Sequence, residues 1–214
     1  FKVKKLSDFE QEFGALTVAV AFAPCIDEVI DYIHSKGLKF GLWMEPERFW
    51  EGSKIYNERP EWFQKHPLGK KNQGFIDFTN SEATAWVEAE IARVVEEYRL
   101  DVLRIDYNIG GGDQYFYVTP GERYECASVK HYEAVCAMYE RLKKRFPNVI
   151  FENCASGGGR LDLDILRYFH HSWVSDQQSA PMAQYITNGL SLVLPPERLD
   201  RLVSGMGCHA YASL

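Results

Sequence analysis

The residues that close the short apolar runs of this chain are the ones able to do chemistry. In order they are Trp43 and Glu45, Arg104 and Asp106, Glu152, Asn153 and Cys154, and Asp176. Side chains two apart on a strand share a face, which sets Arg104 beside Asp106 and leaves Ile105 for the other side. A cation next to a carboxylate favours the ionised form, so Asp106 is suited to be a nucleophile. Asp176 instead follows the run His170-His171-Ser172-Trp173-Val174, with no adjacent cation after Arg167, and an apolar setting there would suit it to hold a proton. Two carboxylates in opposed environments are what a glycosidase needs for nucleophile and acid/base, ~5–5.5 Å apart when configuration is retained. A strand-end Asp also serves as a helix cap or salt-bridge partner. The catalytic reading gains from Trp43, Phe49, Trp50, Trp62 and Trp173, which lie at or near loops where apolar sugar faces stack.

The elements that position these residues alternate. Short β-branched or aromatic runs precede longer segments of helical periodicity, the pattern of βαβ units and a parallel sheet. The spacing predicts helices over 23–35, 80–98, 128–145, 161–168 and 182–188, and strands over 38–43, 102–106, 149–153, 172–175 and 190–194. A short run at 75–78 precedes Asn80, a helix cap. The segments 45–74 and 108–120 read as long loops, and loops of that length are usually functional. No G-x-G-x-x-G turn follows a first strand, so a nucleotide-binding open sheet is disfavoured and a barrel preferred. The expected class is an α/β fold, a (β/α)8 TIM-type barrel. A complete one takes ~250 residues, and about five strands are visible, so the chain is expected to cover the middle and later strands with the first strands missing.

Composition narrows the partners. The 214 residues are 46% hydrophobic, 25% charged and 14% aromatic, with a net charge of −6, which gives no electrostatic support for nucleic acid or an anionic membrane. A neutral small ligand fits better. The cysteines at 25, 126, 136, 154 and 208 contain no Cys-x-x-Cys, which argues for a reducing compartment and against a disulfide framework or zinc ribbon. Cytoplasmic localisation is therefore expected, and the opening Phe1-Lys2-Val3 suggests a missing N-terminus. The histidines at 34, 66, 131, 170, 171 and 209 show no His-x-x-x-His, and the side chains of 170 and 171 would point apart on a strand. The glycine runs 110–112 and 157–159 lack a following Lys-Ser or Lys-Thr, so tight turns explain them better than a phosphate cradle. No general base is placed to activate Cys154. Glu45 and Glu47 lie on one loop and read as supports or hydroxyl ligands.

Four motifs in order carry a resemblance: Gly41-Leu42-Trp43-Met44-Glu45-Pro46-Glu47, Leu103-Arg104-Ile105-Asp106-Tyr107-Asn108, Glu152-Asn153-Cys154-Ala155-Ser156-Gly157-Gly158-Gly159-Arg160, and Trp173-Val174-Ser175-Asp176. Together they resemble the microbial α-galactosidases of glycoside hydrolase family 36. The resemblance implies a retaining enzyme with a (β/α)8 catalytic barrel between flanking β-domains, so residues 1–214 would belong to that barrel. It implies Asp106 as nucleophile, Asp176 as acid/base, Trp43 against the sugar, and Cys154 with Gly157 near the 2-position. No metal or organic cofactor is expected.

The sequence departs from that family where its usual Lys before the nucleophile is Arg104, its usual Arg before Asn-Gln is Lys71, and its usual Asn-Thr-Asp after the acid/base is Gln177-Gln178-Ser179. Lys71 and Arg104 are nevertheless carried over as substrate contacts, with altered geometry. The family's acidic pair for the 4- and 6-hydroxyls is not found. The expected substrate is a terminal α-galactosyl oligosaccharide or glycoside. An α-N-acetylgalactosaminidase, an α-galactosaminidase and a non-catalytic sugar-binding barrel are the alternatives, and a homo-oligomer is left open.

Overall fold

The structure, a computed structural model, describes residues 26–49, 51–65, 74–108, 127–177 and 179–201. Helix α1 (Ile26–Ser35) carries Asp27 and Glu28 in its first turn and His34 in its last, each complementing the helix dipole. Strand β1 (Gly41–Met44) follows. The segment expected as one long loop is instead partly ordered. It holds helix α2 (Lys54–Glu58), a 3-10 turn (Pro60–Trp62), and strand β2 (Phe63–Lys65), which pairs antiparallel with β3 (Gly74–Ile76). Helix α3 (Ser81–Glu97) starts at Asn80, whose side-chain oxygen accepts from the backbone N–H groups of Glu82 and Ala83 at 3.0 and 3.2 Å. After it come β4 (Val102–Ile105), α4 (Ala127–Arg145) and β5 (Ile150–Asn153). Helix α5 (Ile165–Tyr168), β6 (His171–Trp173), α6 (Ala180–Leu190), a second 3-10 turn (Pro196–Arg198) and β7 (Leu199–Asp200) close the described chain.

The large sheet runs β1-β4-β5-β6-β7, and every pairing in it is parallel. Leaving aside the β2–β3 ribbon, each new strand joins the same side of the last one. A doubly wound sheet reverses its direction of growth at a switch point, whereas a barrel wall does not. The expected α/β barrel architecture therefore holds. Parallel pairing also puts the C-terminal ends of these strands on one rim.

The burial of β4 alternates, and Leu103 and Ile105 turn fully inward. They join Phe151 of β5 in a core with Val87, Ile91 and Val94 of α3 and Val135, Met138, Tyr139 and Leu142 of α4. Arg104 and Asp106 share the opposite parity, as the two-residue period requires.

Two expected elements are corrected. Residues 190–194 are not a strand: α6 runs through to Leu190, the next residues turn, and the fifth parallel strand is Leu199–Asp200. Leu192 and Val193 are 85% and 71% exposed, and Leu194 alone of 192–194 is buried. The helix expected over 161–168 is confined to Ile165–Tyr168, because Asp162 caps it late by accepting from Asp164 N and Ile165 N. No helix among the described residues is long and apolar enough to cross a membrane.

Replacing Leu103 with Ala empties a fully buried site between the sheet and two helices and is expected to cost about 2–5 kcal/mol. Asn80→Ala, which removes only a cap, is expected to cost about 1 kcal/mol. Thermal or urea unfolding of both variants checks the ranking, and equal losses would refute this placement of the core.

Candidate active site

Asp106 stands one residue beyond β4, where its backbone N–H donates to Met44 O at 2.8 Å and extends the ladder to β1. Its side chain is nearly dry, at 7% exposure, and is surrounded by donors. Oδ2 accepts from the Trp43 indole Nε1 at 3.0 Å and from Asn108 Nδ2 at 3.0 Å. Oδ1 accepts from Tyr107 N at 2.8 Å and from Ser156 N at 3.2 Å. Burial alone would raise the pKa of Asp106, but the hydrogen bonds from Asn108, Trp43, Cys154 and Tyr107 outweigh it and hold the carboxyl below its ordinary value. The result matches the expected ionised Asp106, while the cause differs. The Arg104 guanidinium lies instead against Glu152 Oε1 at 3.3 Å, Cys154 Sγ at 3.3 Å and the face of Trp173 at 4.0 Å. Cross-strand register explains it, since Arg104 sits directly opposite Glu152.

Asp176 is exposed rather than enclosed by apolar groups, which corrects the setting expected for it. Its Oδ1 accepts from the Trp173 indole Nε1 at 2.9 Å. Each of the two carboxylates therefore takes an indole N–H from a strand of its own neighbourhood. The glycine turn after β5 lies between them. Ser156 and Gly157 both have positive φ, +47° and +85°. A Cβ on Gly157 would stand 2.9 Å from Asp176 N and 2.9 Å from Ser175 Cα, and one on Gly158 would collide with Val174 O. Glycine is needed here because backbone meets backbone.

Asn108, left without a role by the sequence, and the two glutamates of the loop after β1 complete the arrangement. Asn108, besides holding Asp106, donates its backbone N–H to Glu45 Oε1 at 2.6 Å and accepts from Ser156 Oγ at 2.9 Å through its side-chain oxygen. Burial raises the pKa of Glu45, with the Asn108 N–H and Arg48 working against it. Glu47, at 1% exposure, pairs with Arg160 at 2.8 Å and meets His131 Nε2 at 3.5 Å. Burial opposes its ionisation, yet Arg160 and His131 prevail and keep its pKa below the usual range. Both glutamates are thus supports of the strand-end loops. Their hydrogen-bond partners were invisible in sequence because they lie more than 60 residues away.

Cys154 is a buried free thiol whose pKa burial pushes up to about 11, so it is no thiolate nucleophile. Phe49 and Trp62, expected at a sugar, are buried: Phe49 packs against Tyr56 and Phe63, and Trp62 against Trp86 under the Arg59 guanidinium. Glu152, His171 and Asp200 bring candidate ligand atoms within 4.8 Å of one another, with the Arg104 cation already against Glu152. His170 turns away and accepts from Phe151 N at 3.0 Å. Lys71, Trp50, His66, His209, the cysteines 25, 126 and 208, and the glycines 110–112 lie outside the described residues.

In comparison with known proteins, the Melibiase family model matches residues 6–212. The chain belongs to the Melibiase family, within glycoside hydrolase family 36. The bifunctional alpha-galactosidase/sucrose kinase AgaSK of Mediterraneibacter gnavus is 33% identical over 192 residues, 86% of this chain and 19% of that protein. The crystal structure of the GH36 alpha-galactosidase AgaA from Geobacillus stearothermophilus superposes with a TM-score of 0.77 at 25% identity, covering 88% of this chain and 28% of the other. A further AgaA crystal structure, in complex with raffinose, gives a TM-score of 0.75 at 27% identity over 84% of this chain and 26% of that one. The chain therefore spans between 19% and 28% of the length of these relatives.

Within this family member the Glu47–Arg160 pair ties the loop after β1 to the glycine turn. Glu47→Met leaves a buried guanidinium unpaired and is expected to cost about 3–5 kcal/mol, while the Glu47→Met/Arg160→Met double variant recovers much of that loss. Thermal unfolding of the single and double variants checks it, and an additive loss would refute the coupling.

Proposed function

We propose that this chain belongs to the catalytic barrel of a retaining glycoside hydrolase that removes terminal α-galactosyl residues by double displacement. The observation that carries the reading is the Asp106 carboxylate, both of whose oxygens accept from fixed donors, on the same rim as Asp176. Asp106 attacks the anomeric carbon and the C–O bond to the leaving group breaks. Asp176 protonates the departing oxygen and then takes a proton from the water that releases the sugar. The two carboxylates thus supply covalent and acid/base catalysis. Trp43, Lys71, Arg104, Cys154 and Gly157 are proposed as substrate contacts on the family resemblance. Trp43 also serves Asp106 directly, and Arg104 reaches the rim through Cys154. The raffinose held by a relative supports oligosaccharides as the substrate class.

Asp106→Ala is expected to abolish turnover, with azide restoring it as a galactosyl azide of inverted configuration. Asp176→Ala is expected to spare substrates with good leaving groups, and an equal loss on every substrate would count against its acid role. Nitrophenyl α-glycosides of galactose, N-acetylgalactosamine, galactosamine and glucose distinguish the sugars, and a preference for glucose would overturn the α-galactosyl assignment.

The pH dependence has a definite sign. Because the folded-state pKa of Asp106 is lowered, its ionised form persists below the ordinary carboxylate pKa, and its contribution to stability, complete above that ordinary value, is lost progressively as pH falls from there through the lowered one. Trp43→Phe removes one donor and disfavours the charged form, so the acid limb of the kcat/KM profile that reports Asp106 is expected to move to higher pH. An unmoved limb would show that the indole N–H does not tune Asp106.

A further inference from the structure

We propose that the turn at Ser156–Gly157 is the spacer that sets the distance between the two catalytic carboxylates, an inference that rests on the functional reading above. The turn touches the Asp106 carboxylate and the backbone that carries Asp176. Its Ser156 N–H donates to Asp106 Oδ1 at 3.2 Å, and its Gly157 Cα backs onto Asp176 N and Ser175 Cα so closely that no β-carbon fits between them.

The turn is firm enough to act as a gauge. Its start is fixed by Cys154 N donating to Ile105 O at 2.8 Å, and its interior by Ala155 N to Gly157 O at 2.9 Å and Gly159 N to Ala155 O at 3.0 Å. Its far end is anchored by Asn153 Nδ2 donating to Arg160 O at 2.8 Å and by the buried Arg160–Glu47 pair. Ser156 Oγ ties it to Asn108 at 2.9 Å. Two successive residues with positive φ, one of them a serine, are a conformation that persists only where surrounding contacts impose it. Asp176, by contrast, is exposed. A wedge between the turn and residues 175–176 therefore displaces Asp176, not Asp106.

The distance matters because the pair stands ~5–5.5 Å apart in retaining glycosidases and ~6.5–9.5 Å apart in inverting ones. A Cβ at Gly157 starts at 2.9 Å from two backbone atoms, while ordinary contact begins at 3.4 Å, so the acid/base segment must retreat by about 0.5 Å or more. Misplacement on the order of 1 Å costs about 10²-fold in rate. The family resemblance implies Gly157 near the sugar's 2-position, and the two roles give different kinetics.

The test is Gly157→Ala in the protein at its natural length, after wild-type hydrolysis of an α-galactoside has established the activity itself. The spacer role predicts a fall in kcat of about 10²-fold on raffinose with KM within about twofold. It predicts a much smaller fall in kcat/KM on dinitrophenyl α-galactoside, whose leaving group departs without a proton, and the same proportional loss on the 2-deoxygalactoside as on the galactoside. A rise in KM with kcat unchanged, or a loss that vanishes on the 2-deoxy substrate, would overturn the spacer and leave a sugar contact. If Gly157→Ala does not fold, Ser156→Ala serves, since it only deletes the hydroxyl tie to Asn108. It is expected to lower kcat by about tenfold on raffinose at constant KM, and unchanged kinetics would overturn the proposal. Inactivity of the wild type on every α-glycoside would instead defeat the functional reading.

Discussion

A carboxylate that stays charged at a nearly dry strand end is the constraint around which this rim is organised. An ionised group taken out of water must be compensated by hydrogen bonds from fixed donors. Asp106 draws them from Trp43 on β1, from Tyr107 and Asn108 just beyond β4, and from Ser156 after β5. Three neighbouring strand ends must therefore keep their register to within a hydrogen-bond length. The parallel ladder provides this, with Trp43 opposite Arg104 and Arg104 opposite Glu152.

Donors are useful only if their own positions are fixed, and buried ions do much of that fixing. Glu45 holds the Asn108 backbone, Glu47 holds Arg160, and His131 sits edge-on to Phe75 and Phe78 beside Glu47. Replacing such pairs by apolar residues often leaves stability unharmed, so their presence argues for geometry more than for energy. Here they join the loop after β1 to α4 and to the glycine turn, elements far apart in sequence. Arg104 has a similar role beneath the rim, clamped on the Trp173 ring whose N–H meets Asp176.

Much of the fold was legible because its signals are local. The alternation of β4, the Asn80 cap and the position of Asp106 follow from neighbouring residues and came through intact. The run Leu190-Ser191-Leu192-Val193-Leu194 misled because it alternates like a strand, while its helical start and subsequent turns are set by Ser191 N and Leu194 N bonding back to Thr187 and Leu190. Phe49 and Trp62 misled for another reason: an aromatic in a loop-like segment signals a ligand or a local core equally well, and the β2–β3 ribbon supplied the core. The ionised Asp106 was inferred correctly from the wrong neighbour. Arg104 is two residues away along the strand, but a long side chain goes to the countercharge directly across the sheet, and that pairing depends on register that the sequence does not display.

The unequal treatment of the two carboxylates is what the proposed chemistry requires of this geometry. A nucleophile must be ionised whenever substrate arrives, and a dense set of donors secures that state. An acid/base group must change protonation twice in each turnover, and a setting that gripped one state as strongly would impede one of the two steps. Asp106 has donors on both oxygens, whereas the recorded side-chain partner of Asp176 is the single Trp173 indole, and water has access to it. What Asp176 lacks in hydrogen bonding it gains in backbone contact, because the segment carrying it rests against a glycine turn that admits no side chain. Orientation of the carboxylate is thus delegated to an indole and location to the turn. Its place on the rim is thereby held without a dense set of donors on the carboxylate itself.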